Sequence, residues 1–193
     1  MADMDMVLEA GPEVLQSSDC SAKVAPDVPS GVATPAVKTR FRSNELPLIH
    51  RYAEVWLAEA VELLRPRFTD AGYEIPPVHV SIGFSCTGYR FGSKSYTQAM
   101  CYARRMSVDN INEIYIAPVI RSAEQVLELL IHELIHAVLD CRHGHGPEFQ
   151  RIATDVNLLG ARYPKPRSFI KALLEERKLL AQLGRYPRGG MRS

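Results

Sequence analysis

The chain has 193 residues, 46% of them hydrophobic, which suits one domain with a real core plus tails and excludes two large domains. Its 23 Lys and Arg nearly balance 22 Asp and Glu, so no global field marks it as a binder of nucleic acid or acidic polymers. The acidic start Met1-Ala2-Asp3-Met4-Asp5 leads into no apolar run, no stretch of about eighteen apolar residues occurs, and Cys20, Cys86, Cys101 and Cys141 form no C-x-x-C pair. No leader, no membrane contact and no disulfide framework are expected, and the simplest location is a reducing cytoplasm.

Residues 1–42 are rich in Ala, Pro, Val, Ser and Asp without a sustained period, and Pro26, Pro29 and Pro35 interrupt any helix, which predicts a disordered or weakly ordered tail. The folded domain is expected over 43–186, followed by a flexible tail at 187–193. Leu48, Ile49, Tyr52, Val55, Trp56, Ala60, Val61 and Leu64 recur at helical spacing and predict a long amphipathic helix ending near Pro66. Val78, Val80, Ile82 and Phe84 alternate with polar or small residues, the two-residue period of a half-buried strand. Glycines 83, 88 and 92 mark a loop. Residues 97–104 and 113–117 read as two further strands around the turn-forming Asp109-Asn110, in a small sheet with an exposed edge.

Ser122-x-x-Gln125 is a capping-box start, and the residues from there to about Asp140 are apolar enough to require burial nearly all round. Pro147 suits a first helical position, and Phe149, Ile152, Ala153, Val156 and Leu159 carry that helix to Gly160. A last helix is predicted from Ser168 to Gly184, with Phe169, Ile170, Leu173, Leu174, Leu180 and Leu183 on its apolar side.

The chemistry concentrates in His132-Glu133-Leu134-Ile135-His136. Histidines four residues apart point from one face of a helix and reach a common ion. Glu133, one residue round, is poorly placed as a ligand but can hold a water and take its proton, the role of a general base. Glu128, His132, His136 and Asp140 form a polar row on an otherwise apolar helix, and buried groups of this kind need partners. Glu128 and Asp140 either orient the imidazoles or, by preference, are solvated ends of the row. Zinc wants a third protein ligand, and His143, His145 and Glu148 are the candidates; flanking Gly144 and Gly146 favour His145 by permitting close backbone approach. Leu139 and Arg142 stand where the longer metzincin pattern needs Gly and His, which excludes that subclass.

His132-Glu133-x-x-His136 followed by Gly144-His145-Gly146-Pro147-Glu148-Phe149 resembles the core of SprT-like (Spartan-type) zinc metalloproteases. Val80-Ser81-Ile82-Gly83-Phe84 and Asn112-Glu113-Ile114-Tyr115-Ile116-Ala117-Pro118 extend the similarity towards SprT-like proteins of bacteriophages and actinobacteria, over roughly 44–186. The resemblance implies a zinc cofactor on His132, His136 and His145, with Glu133 as catalytic acid and base. It implies an α+β, zincin-like fold in which a mixed or antiparallel sheet of three to four strands packs on the long first helix and the buried motif helix, with helices at the C-terminal end. Such proteins commonly continue into a cysteine-paired zinc ribbon, whereas no cysteine follows Cys141 here, so no second zinc is expected.

Peptide-bond hydrolysis on a protein or peptide substrate is the expected activity, in host cytoplasm if the chain is phage-encoded. The strand at 97–104 is the candidate for aligning an extended substrate, and Tyr89, Tyr96, Tyr102, Tyr163 and Arg104 are candidates for assisting the oxyanion. Two alternatives stay open: a non-catalytic zinc protein docking a partner in a phage particle or host complex, and a protease acting on DNA-bound proteins. For the latter, Arg162, Lys165, Arg167, Lys171, Arg177, Lys178, Arg185, Arg188 and Arg192 make the C-terminal part basic, though such residues are more often a solvated face.

Overall fold

The computed structural model describes residues 45–84, 97–160 and 165–187. The tail expected over 1–42 and all but the first residue of that at 187–193 lie outside them, as do Gly88, Gly92, Tyr89, Tyr96 and Tyr163. Among the described residues the elements follow in the order α1 (Ala53–Asp70), β1 (Val78–Ile82), β2 (Ala99–Tyr102), β3 (Asn112–Ile116), α2 (Ala123–Val138), α3 (Pro147–Asp155) and α4 (Phe169–Leu183), with a 3-10 turn at Arg104–Met106. The class is α+β, as the resemblance implied. No helix of this set is long and apolar enough to cross a membrane.

The first helix departs from expectation at both ends. Leu48 and Ile49 precede α1 and are exposed, and the helix runs through Pro66 to Asp70. Proline forfeits a main-chain hydrogen bond. The turn beyond it buries Phe68 completely and lets Arg67 donate to the carbonyls of Val156 and Asn157 at 2.5 and 2.6 Å, which offsets that loss. Gly72, at φ +85°, then ends the helix with Tyr73 N–H returning to Phe68 O at 2.9 Å.

The sheet has the order β1-β3-β2. β1 runs parallel to β3, from Val78 opposite Asn112 to Ile82 opposite Ile116, and β2 runs antiparallel, from Ala99 opposite Ile116 to Tyr102 opposite Glu113. β3 is thus the central strand and buries Asn112, Ile114 and Ile116 on one face. α1 packs on β1, α2 on β2 and β3, and α3 and α4 on α2. Their shared core holds Trp56, Leu57, Leu64 and Phe68 of α1 with Leu127, Leu130, Leu134 and Ile135 of α2.

The helices after α2 also differ from expectation. α3 stops at Asp155 instead of Gly160 because Asn157 takes a left-handed conformation (φ 53°) and Leu158 N–H closes back on Ala153 O at 2.8 Å. α4 has its expected span and its Ser168 cap, which accepts from Lys171 N–H at 3.3 Å, but Phe169, Ile170 and Leu174 are exposed. Ala172 is buried in its first half, and its C-terminal half reaches the core through Leu180 and Leu183. There Trp56 Nε1 donates to Gly184 O at 3.2 Å, Tyr186 stacks edge-on against Trp56 at 5.1 Å, and Arg185 N–H donates to Pro47 O at 2.7 Å.

Candidate metal centre

α2 begins where Ser122 Oγ accepts the Gln125 N–H at 3.3 Å, and its apolar faces are held by Val126, Leu127, Leu130, Ile131, Leu134 and Ile135. With those faces committed to the core, His132 and His136 are left half-buried on the remaining stripe, one turn apart. The helix ends with two consecutive left-handed residues, Asp140 (φ 48°) and Cys141 (φ 57°), and Cys141 N–H returns to His136 O at 2.8 Å. Gly144, at φ +50°, makes the next reversal, and a Cβ on Gly146 would crowd His143 O at 3.1 Å. These bends carry His145 back over α2 before α3 starts at Pro147.

The outcome is a triangle of imidazole nitrogens. His132 Nε2 and His136 Nε2 lie 3.2 Å apart, His136 Nε2 and His145 Nε2 3.2 Å, and His145 Nε2 and His132 Nε2 3.0 Å. Hydrogen bonds cannot satisfy all three contacts. A neutral ring nitrogen either donates or accepts, so at least one pair faces lone pair to lone pair or proton to proton. A cation accepting three lone pairs removes the conflict, and tetrahedral bonds of about 2.0–2.1 Å require ligand nitrogens about 3.3 Å apart. These three histidines could therefore hold a metal ion. Burial first, and then the neighbouring imidazoles, depress His132 to about 3 and His136 to about 4, which keeps both rings in the neutral form that ligates.

Glu133, the next residue of the same helix, lies close to β2, where the Cys101 main-chain N–H interacts with its carboxylate. It is 4% exposed. Burial, followed by the neighbouring Cys141 thiol, pushes it up to about 8, against the opposing effect of that N–H.

Sequence reasoning missed one component. The Phe149 ring is 2% exposed and its centre lies 4.8, 4.8 and 5.0 Å from the rings of His132, His136 and His145. It forms an apolar floor that touches all three imidazoles at once. The only sequence signal was an aromatic residue four places after His145, which helical periodicity explained equally well as core.

The other candidates fall elsewhere. His143 is exposed, with Nδ1 3.6 Å from Glu148 Oε2, so two of the three candidates for third ligand lie against each other and not in the triangle. Asp140 is neither an orienter of imidazole nor a solvated end. Its Oδ1 accepts from Arg104 main-chain N–H at 3.0 Å, Arg104 Nε at 3.4 Å and Asn112 Nδ2 at 3.5 Å, while Oδ2 pairs with Arg142 at 3.4 Å. The Arg104 N–H holds this carboxyl below its usual range. Asp140 thus fastens the end of α2 to the chain following β2, and Arg104, a candidate for the oxyanion, is engaged there. Glu128 is half-buried and helps raise Glu176 of α4. Of the basic C-terminal residues, Arg167 pairs with Asp155 at 2.5 Å and Lys171 with Glu175 at 3.6 Å.

No curated protein matches the chain, and no solved structure does. The model of the SprT-like family matches residues 67–168, more than half of the chain, and spans the sheet, α2 with both motif histidines, and the turn that carries His145. With that match, the chain belongs to the SprT-like family.

Proposed function

We propose that the chain is a zinc-dependent peptidase in which His132, His136 and His145 hold the metal through Nε2 and Glu133 is the acid and base. The observation that carries this reading is the three-nitrogen triangle with a buried carboxyl on the next residue of the same helix. A structural zinc has no use for that carboxyl. Zinc at this position supplies Lewis acidity, polarising a substrate carbonyl and making water a stronger acid. Glu133 accepts the proton of the attacking water and later delivers it to the leaving nitrogen of the cleaved peptide. Among the described residues β2 is an edge strand beside α2, so an extended peptide laid along its outer side would present its carbonyl between that strand and the triangle. Phe149 and the neighbouring core exclude water from beneath the imidazoles.

The test is metal content and cleavage of an unfolded protein, measured on the native sequence and on Glu133→Gln. Both should carry one zinc per chain. Cleavage should fall by about 10²–10⁴-fold in the variant, the usual contribution of a general acid and base. Equal behaviour of the two chains would defeat the enzymatic reading and favour a non-catalytic zinc protein.

A further inference from the structure

We propose that Cys101 and Cys141 are a dithiol–disulfide pair whose oxidation ties the edge strand β2 to the segment that joins α2 to His145.

The two sulfurs stand 3.5 Å apart, and Cys141 Sγ also lies 3.4 Å from Cys101 O. Forty positions of chain separate them, so the approach is made by the tertiary fold and not by a local turn. Two features produce it. β2 packs on α2, which brings the buried Cys101 to the flank of that helix. The left-handed pair Asp140 and Cys141 then turns the chain back at the helix end, and the Asp140–Arg104 contacts anchor the turn against the chain leaving β2. A disulfide bond is about 2.0 Å long, so the sulfurs need to approach by roughly 1.5 Å. Ordinary packing of two small thiols is the competing explanation, and it predicts no bond under oxidation.

Exposure orders the chemistry. Cys141 is partly exposed and Cys101 is buried, so a peroxide meets Cys141 first. The Cys141 sulfur attacks the O–O bond of hydrogen peroxide, which breaks to release water and leave a sulfenic acid. The Cys101 sulfur then attacks that sulfur; the S–S bond forms, the S–O bond breaks, and the departing hydroxyl takes the Cys101 proton as a second water. Two thiols are oxidised and one peroxide is reduced. A thiol reductant reverses the change.

The consequence lies close to the metal centre. Cys141 sits between His136, whose carbonyl its N–H bonds, and His145. Pinning it to β2 restricts the segment on which His145 rides. This coupling holds whether or not the site is a peptidase.

The experiment uses the full chain, fully reduced and then treated with hydrogen peroxide at low protein concentration, alkylated, digested and mapped by mass spectrometry without reductant. The main product should be a Cys101–Cys141 cross-linked peptide pair that dithiothreitol reverses. The oxidised chain should melt roughly 5–15 °C higher, as expected for closing a loop of this length in a domain of this size. Amide hydrogen exchange over residues 139–145 should slow by about tenfold. A chain carrying Cys20→Ser and Cys86→Ser should behave alike. Separately alkylated Cys101 and Cys141, or bonds from either to Cys20, Cys86 or a second chain, would overturn the pairing; the right bond with unchanged exchange over 139–145 would overturn its coupling to the site.

Discussion

Replacing Phe149 by Leu separates the floor of the metal centre from the ligands themselves. The substitution keeps an apolar side chain of similar volume, which limits the packing loss to less than about 1.5 kcal/mol. It removes three ring contacts at 4.8, 4.8 and 5.0 Å. Aromatic pairs contribute about 0.5–1.5 kcal/mol each beyond area burial, and one ring cannot hold ideal geometry with three partners, so about 2–3 kcal/mol is the expected total loss in the metal-free chain. A domain of this size then melts roughly 4–12 °C lower. Metal affinity should drop by about 10–100-fold, the range seen when groups that orient metal ligands are lost, because the imidazoles are no longer held together before binding. Thermal melting of the metal-free chain and competition titration against a chromophoric chelator measure the two effects independently. A Phe149→Leu chain that melts as the native sequence does and binds metal with unchanged affinity would refute the view that this ring preorganises the triangle.

Three further outcomes follow from the same geometry. His145→Ala should weaken metal binding by more than the about 10–100-fold caused by losing an outer partner, while His143→Ala, whose ring lies against Glu148, should leave the same chelator titration unchanged. Burial, followed by Glu124 with Glu128 a lesser contributor, raises Glu176 from 4.5 to about 7, so the native chain binds this proton more tightly than the unfolded chain. Its stabilising contribution is complete below pH 4.5 and is lost as pH rises through 7; Glu176→Gln should therefore gain on the native sequence across that window, by about 1–3 kcal/mol at pH 8 in urea unfolding, and a gap that does not change with pH would contradict this. Gly184→Ala should destabilise by about 2–5 kcal/mol, because φ is +70° and an added Cβ would meet Pro47 O and lie 2.8 Å from Ile49 Cγ1; an unchanged melting temperature would show that the Trp56 anchor is looser than described.

Much of this protein was legible from local pattern. Histidines four apart share a helix face whatever surrounds the helix, alternation over 78–82 means a half-buried strand, and glycines on either side of His145 announce a tight turn. Each signal depends on neighbours within a few residues, and the structure brings His132, His136 and His145 together as that reasoning anticipated. Capping chemistry was legible for the same reason at Ser122 and Ser168.

What only the tertiary structure decided involves partners far apart in the chain. Pro66 does not stop α1 because Phe68 and Arg67 find their partners about ninety residues on or in the core, and Asn157 ends α3 in a left-handed turn that helical periodicity does not register. Phe149 reads as a core residue until three imidazoles are seen to rest on it, and Asp140 reads as the last member of a polar row until Arg104 from the turn after β2 and Asn112 from β3 reach it. The Cys101–Cys141 approach has no trace in spacing at all. Composition and periodicity determined which residues could serve a metal centre. Long-range packing, which depends on where distant segments converge and not on the order of neighbours, decided what holds that centre in place.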